Sequence, residues 1–431
     1  MSENSALPKH VRNLPDGWRH LPIKRVADTF SGAGFPIDQQ GVTDEEIPFH
    51  KVASLSGADS TGWIHGSDDT ISKSTAANLR APLLDSGTIV IAKIGAALLL
   101  GRIRQLAQRS TIDNNMLGII ASGSHARFLY FALQTLDFAA LVNPGAVPSL
   151  SDRNLRMWPI MLPPDAEQQQ IAAFLDRETG QIDALITKQE QLVETLTERR
   201  QAVIAQAVTR GLDPTVEVKA SGVDWLGDIP SGWRIQRLKR LGSTQIGLTY
   251  DPDDIVGEES GTLVLRSGNV QGGQISLVDK VYVSTRIPLA LRLREGDILI
   301  CARNGSRALI GKNAKIGPEL VGETFGAFMS VLRSDVGDYL RWVLNSSIFQ
   351  FQMGSFVTAT INQLTNGTLN NFEIPVPPRR EQLEIIDYLT DETVRLDALV
   401  VKARQVVEVL KERRQALISA AVTGKIDVRG L

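Results

Sequence analysis

The chain has 431 residues, 43% of them apolar, and a formal net charge of −2 from 46 basic and 48 acidic residues. That length suits roughly two to four domains with cores of their own. The single cysteine, Cys301, excludes an internal disulfide framework and any cysteine-cluster metal site. The charge balance excludes a protein that coats nucleic acid through bulk positive charge, but not one that binds through a local patch.

From the N-terminus, the first residues lack the basic-then-apolar layout of a secretory leader. The most apolar stretch, 88–100, is short and contains Lys93, so no membrane span is expected. Lack of leader and span, with one cysteine, points to a cytoplasmic location. Leu14, Pro15, Gly17 and Trp18 mark the start of a first globular region. A β-branched run at 88–91 follows the turn at Gly87 and reads as a strand. Residues 128–138 carry apolar side chains at helical spacing, and 143–154 read as a loop. A long helical pattern occupies 162–213, and Gly211 sits where it should stop. Ile229, Pro230, Gly232 and Trp233 then open a second region. Its strand signals are 263–265, 280–283 and 297–300, with helical spacing over 339–351. The loop-like segment 358–367 leads to a second long helical pattern over 376–431, which Gly424 should end.

These parts form a tandem repeat. Residues 162–213 match 376–427 without a gap, at 26 identities in 52 positions. Trp18, Arg19, Lys24 and Arg25 lie opposite Trp233, Arg234, Lys239 and Arg240. Between these markers the halves diverge, and a repeat of about 215 residues is too long for a solenoid. The reading is α+β: globular regions 1–161 and 214–375, each followed by a helical region, 162–213 and 376–431.

Within the helices, Ile171, Leu175, Glu178, Ile182, Leu185, Gln189, Leu192, Leu196, Arg199 and Val203 recur at four-three spacing. Their counterparts run from Ile385 to Leu417. That is the seam of a coiled coil. Parallel pairing would set Glu against Glu and Arg against Arg. Antiparallel pairing sets Glu178 near Arg413 and Glu392 near Arg199, which predicts an antiparallel pair with a pseudo-two-fold axis. Solvated edge residues of an ordinary bundle are the bland alternative. Asp165 is positioned to cap the first helix, whereas the second copy has Arg379 and Arg380 there. Gly180 weakens the first helix locally.

Loops of the globular regions hold the groups that DNA reading needs, since Arg and Lys reach guanine edges and phosphates and Asn and Gln pair with adenine. In the second region these are Arg266, Asn269, Arg303, Asn304, Arg307, Asn362 and Gln363. In the first they are Lys93, Arg102, Arg104, Asn114, Asn115 and Arg153. Taken one at a time, such residues read equally as solvated surface turns. Trp18 and Trp233 read as core anchors rather than base stackers. The loop at 94–100 is apolar where its counterpart at 304–310 is polar, which favours Arg303, Asn304 and Arg307.

Catalytic signatures are missing. The sequence has no Walker-type phosphate loop, and its five histidines, His10, His20, His50, His65 and His125, lack metal-ligand spacing. Asp213, Glu217 and Lys219 are a linker scatter. No acid–base set recurs at matched positions, so a non-catalytic protein is expected.

The motifs in combination resemble the DNA-specificity subunits of Type I restriction–modification systems over nearly the whole length. The resemblance rests on Pro163, Pro164, Glu167, Gln168, Ile171 and Leu175 with their counterparts Pro377 to Leu389. It rests also on Asp183 and Asp397 before Ala-Leu, on the Glu-Arg-Arg-Gln-Ala runs at 198–202 and 412–416, and on the 221–233 entry. It implies two target-recognition domains, each reading one half of a split, asymmetric DNA site, with the helices as ruler and as docking surface. The implied partners are double-stranded DNA, two methyltransferase subunits and restriction/translocase subunits. No cofactor is expected on this chain; S-adenosylmethionine, ATP and Mg belong to those partners. A coiled-coil scaffold binding protein through its globular ends is the alternative. The central parts of the helices, 167–208 and 381–422, carry −3 and −2, so the rest of the chain holds +3. That is modest for DNA affinity, and tight binding is expected to need partners.

Overall fold

A computed structural model describes residues 14–143, 145–356 and 363–429. The chain divides into two compact units, 1–191 with 403–431, and 192–402. The division falls inside the two long helices, Asp165–Arg210 and Arg379–Val422. Each unit therefore holds one globular region and a stretch of both helices. With short-stranded sheets beside these helices, the fold is α+β.

In the first unit a five-stranded sheet runs in the order Ala27–Ser31, Met116–Ala121, Ile89–Ala92, Ile103–Leu106, Trp63–Ile64. Its central strand Ile89–Ala92 is buried at every position, as its continuous apolar run requires. Register sets Ile89 opposite both Ile119 and Gln105. The helix Ala126–Leu133 contributes Phe128, Leu129, Tyr130 and Phe131 to the same core. That core also takes Ile171, Ala172 and Leu175 from the first long helix and Ile418, Ala421 and Val422 from the second. Arg19–Pro22 pairs antiparallel with Pro159–Leu162, the strand that leads into the first long helix.

The second unit repeats this plan. Ile298–Cys301 is fully buried and lies between Met329–Arg333 and Asn313–Lys315. The helical spacing over 339–351 resolves into two helices, Gly337–Leu344 and Ser347–Phe356. Arg234–Arg237 pairs with Glu373–Val376 ahead of the second long helix. Ile204, Ala207, Val208, Ile385 and Leu389 join Trp233, Tyr339 and Phe372 in its core. Trp18 and Trp233 are both core residues, at 7% and 0% exposure.

The motif that opens each long helix has a local reason. Gln168 and Gln382 are buried and donate from Nε2 to the carbonyls of Pro163 and Pro377, each at 2.9 Å. The first turn is tied back to the strand that precedes it in both copies. Asp165 accepts from the Gln168 side chain at 3.1 Å. Gly211 and Gly424 follow the helix ends with φ of +76° and +68°, the left-handed conformation that glycine adopts freely.

The helices run antiparallel within each unit. In the first, the core residues 171–175 belong with 418–422, and further along the first helix Asp183 meets Arg414. In the second, 204–208 belong with 385–389, and Arg200 meets Asp397. The expected ion pairs are corrected. Glu178 is bound to Arg177 and Glu392 to Arg395, each on its own helix, and neither Arg413 nor Arg199 is their partner. Packing of the globular cores on the helix ends sets a different register, and the arginine that pairs is the second of each Glu-Arg-Arg run. The seam is also discontinuous, because Leu185, Leu192, Leu399 and Val406 are 40–47% exposed.

Candidate nucleic-acid interface

One arrangement of three segments occurs in both units. In the first, the strand Ile89–Ala92 ends at Lys93. The Lys93 N–H donates to the Asn115 carbonyl at 2.7 Å, just before Met116 begins the neighbouring strand. The Lys93 carbonyl accepts from Leu150 N–H at 2.8 Å, and Gly95 N–H donates to Pro148, which fastens the loop before the helix Asp152–Met157. In the second unit Ile298–Cys301 ends at Ala302. The Ala302 N–H donates to the Phe328 carbonyl at 2.9 Å, just before Met329, and its carbonyl accepts from Leu364 N–H at 2.7 Å. A strand end, a turn and a loop thus converge in the same way, with different side chains.

In the first unit this brings together Lys93, Asn114 and Asn115 and the loop that leads to Arg153. The Lys93 ammonium donates to Ser31 Oγ at 3.3 Å, and the Asn115 amide is held by Asp113 at 3.3 Å. Asn114 and Arg153 are exposed. Two expected readers lie elsewhere. Arg102 donates to Ser56 Oγ at 2.6 Å, and Arg104 donates to the carbonyls of Leu55 and Ile103 at 3.1 and 2.8 Å. Burial lowers the pKa of Arg104 below the ordinary guanidinium value, and its charged neighbours include Arg102 and Arg414. Arg104 thus braces the sheet, while Arg102 spends one donor on Ser56 and keeps the others.

In the second unit a cleft of about 610 Å³ is lined by Leu248, Tyr250, Arg266, Ser267, Asp279 and Phe328, among others, and Arg266 is the expected reader that lines it. Arg303 is exposed, with its guanidinium 5.1 Å from the centre of the Phe328 ring. Its backbone bridges to Gln363, which is exposed. Asn304 donates to Ser267 Oγ at 3.2 Å and accepts from Ser306 N–H at 2.9 Å. Arg307 is exposed on the following turn. Arg266 is engaged with Asp279 at 2.7 Å. Burial pushes the Cys301 thiol up, and it donates to the Arg303 carbonyl at 3.6 Å.

Asn269 is a correction. It is 1% exposed, accepts from Arg266 N–H, and donates to the carbonyls of Ser276 and Asp279 at 2.9 and 2.7 Å. Both of its amide donors serve to shape the loop and its side chain is buried, so it offers no donor to a base. Asn362 lies outside the described residues. Sequence reasoning missed Phe328, which is 57% exposed beside Arg303. The signal was positional: Phe328 precedes Met329 as Asn115 precedes Met116, but the halves align too poorly there to reveal it.

Among the described residues no helix is long and apolar enough to cross a membrane. No cluster of three or more His, Cys, Asp or Glu poised to hold a metal is found among them either.

Residues 15–195 match the family described as Type I restriction modification DNA specificity domain. The chain is 27% identical over 208 residues to the Type I restriction enzyme EcoKI specificity subunit of Escherichia coli K12, covering 46% of this chain and 44% of that one. It thus spans about half the length of that relative. It is 24% identical over 319 residues to the MjaVIII specificity subunit of Methanocaldococcus jannaschii, covering 70% and 71%. Among solved structures, one described as the structural basis underlying complex assembly and conformational transition of the type I R-M system superposes with a TM-score of 0.72. Its identity is 19%, with 96% of this chain and all of that one covered. The HsdS subunit from Thermoanaerobacter tengcongensis gives 0.50 at 18% identity, covering 96% and 98%. These two likenesses establish the fold. Residues 15–195 are thus similar to a Type I restriction modification DNA specificity domain, and the chain as a whole shares the fold of these solved structures and is similar to specificity subunits of Type I restriction enzymes.

Proposed function

We propose that the chain is the non-catalytic specificity subunit that reads a bipartite, asymmetric DNA site. Regions 1–161 and 214–375 act as target-recognition domains, one for each half-site. Regions 162–213 and 376–431 set the half-site spacing and dock two methyltransferase subunits, through which restriction/translocase subunits join. S-adenosylmethionine, ATP and Mg act on those partners, and the complex works in the cytoplasm. The observation that carries this reading is the three-segment site, built alike in both units and furnished with different side chains. Identical frames with different surfaces are what two readers of different base sequences require, because base edges differ between half-sites while the duplex does not.

The test is base-resolution methylation mapping in cells that express this chain with its modification subunit. The expected result is methylation at two unlike half-sites separated by a fixed spacer. Absence of chain-dependent methylation, or a site lacking two separate halves, would sink the reading. The scaffold alternative expects no DNA dependence at all.

A further inference from the structure

The closest match between the two globular regions lies outside the reading loops. Each has a strand that pairs with the strand entering a long helix, and each such strand passes directly into a single tight turn, Ile23–Arg25 and Leu238–Arg240. Ile23 and Leu238 are fully buried and fix the turns. The next two residues are cations in both cases: Lys24 with Arg25, and Lys239 with Arg240. All four side chains are exposed. Among the described residues none of them forms an ion pair, although sixteen such pairs occur across the described residues.

The turns are anchored beside the reading loops. Ile23 N–H donates to the Trp158 carbonyl at 3.0 Å, and Leu238 N–H donates to the Phe372 carbonyl at 2.9 Å. Trp158 and Phe372 each follow the short helix that closes the loop of the three-segment site, Asp152–Met157 and Asn366–Asn370. Each turn packs on that short helix. In the first unit the helix adds exposed Arg156 to the same surface, with Asp152 its only acid.

We infer that these two turns are sequence-independent phosphate anchors, which hold the duplex backbone while the neighbouring loop reads bases. The inference rests on the proposed DNA-reading function. Its logic is the contrast within each unit. Side chains that meet bases must differ between the two half-sites, and those of the three-segment sites do. Side chains that meet phosphates face the same chemistry in both, and these cations recur at matched positions in turns that are bonded to the segment closing each loop. Paired cations on a rigid turn, left without acids, suit a poly-anion. An acidic face on a partner protein is the competing occupant.

The experiment uses the full chain and a random-sequence duplex, because a backbone contact needs no cognate site. Binding is followed by fluorescence anisotropy between about 50 and 200 mM salt. Lys24→Gln with Arg25→Gln, and Lys239→Gln with Arg240→Gln, are made as two double variants, with thermal unfolding as a check on the fold. Each double variant is expected to lower the slope of log affinity against log salt by about 1.8, so the affinity lost across that range shrinks roughly 12-fold. Both should unfold as the unchanged chain does. Salt-dependent binding with the same slope in the variants as in the unchanged chain overturns the inference alone and points to a protein partner. A lowered slope accompanied by early unfolding is resolved by Lys24→Arg with Arg25→Lys, which must restore the slope if charge is what acts. No salt-dependent binding by the unchanged chain, even with its methyltransferase subunits added, would instead count against the DNA-reading function itself.

Discussion

Arg414 Nε donates to both carboxylate oxygens of Asp183, at 2.8 and 3.1 Å, while its Nη1 reaches Gln134 Oε1 at 3.2 Å. This joins the two long helices to each other and to the globular part of the first unit. The repeat-related pair, Arg200 with Asp397, is an ion pair at 2.9 Å in the second unit. Each pair joins the Asp of the Asp-Ala-Leu motif in one copy to the second Arg of the Glu-Arg-Arg run in the other. The two motifs are present because they need each other across the helix pair.

The pairs differ in burial, and so should their deletion. Asp183 and Arg414 side chains are 13% and 19% exposed, whereas Asp397 is 56% exposed. Asp183→Ala strands a mostly buried guanidinium and should cost roughly 2–3 kcal/mol. Asp397→Ala should cost under about 1 kcal/mol. Glu178→Gln, at a residue paired only along its own helix, should stay within about 0.5 kcal/mol. Urea denaturation of the three variants checks the register, because a Glu178 effect as large as that of Asp183 would restore the rejected alignment. The sign of the pH effect is also set. Burial raises the Asp183 pKa, and the hydrogen bond and charge of Arg414 only partly offset it. Its contribution to stability is therefore fully present below the ordinary aspartate pKa and declines as pH rises through the raised value.

His50 ends the strand Ile47–His50 at 0% exposure, and neither ring nitrogen has a partner among the described residues. Burial lowers its pKa to about 4. The unfolded chain takes up this proton near pH 6.5, so the neutral ring's contribution is intact above that pH. It falls away as pH drops from 6.5 through about 4, by up to roughly 3 kcal/mol. The Tm of the chain should fall over that window, and His50→Leu should flatten the fall. Equal slopes for both proteins would place the titration elsewhere.

The sequence was informative where one physical constraint acts alone. The helices, their glycine stops and the buried strands at 88–91 and 297–300 follow from periodicity and backbone freedom. The opposite orientation expected for the helices is observed, but the Glu–Arg pairs that argued for it do not form and the register differs. Glu178 and Arg199 lie on the four-three pattern, yet the observed partners Asp183 and Arg200 lie one residue past it. Their meeting depends on how the globular cores grip the helix ends. The proposed reading sites were half legible for a similar reason. Arg303, Asn304 and Gln363 announce themselves by residue type, but residue type does not tell an exposed Arg303 from an Asn269 buried in its own loop. Arg104 differs from the expectation because its strand position beside the carbonyls of Leu55 and Ile103 turns the guanidinium inward, whereas Arg102, just before that strand, bonds Ser56.

Two glycines respond oppositely to alanine. Gly180 lies within the first long helix, and an added Cβ there would meet nothing within 4 Å. Gly180→Ala should stabilise by about 0.5–1 kcal/mol through helix propensity. Gly424 has φ +68°, and an added Cβ would lie 2.4 Å from Pro15 Cγ. Gly424→Ala should cost more than about 1 kcal/mol. Thermal unfolding gives both signs, and a stabilising Gly424→Ala would contradict the tight closure of the second helix on the 14–18 segment.

Asn269 and Arg303 separate shape from reading in the second unit. Asn269→Ala removes two donated bonds and one accepted bond from a buried loop. It should destabilise that unit by about 1–3 kcal/mol and weaken DNA recognition only through the lost fold. Arg303 is exposed and touches the protein mainly through the Phe328 ring. Arg303→Ala should leave stability within about 0.5 kcal/mol. Where a base contact is lost, it should reduce affinity for the cognate half-site by roughly 1–3 kcal/mol. The loss should vanish on duplexes already mutated in the half-site read by the second unit, and persist on those mutated in the other half. Methylation assays on the two duplex sets distinguish these outcomes, because equal loss on both sets would remove Arg303 from base reading and leave it a backbone contact.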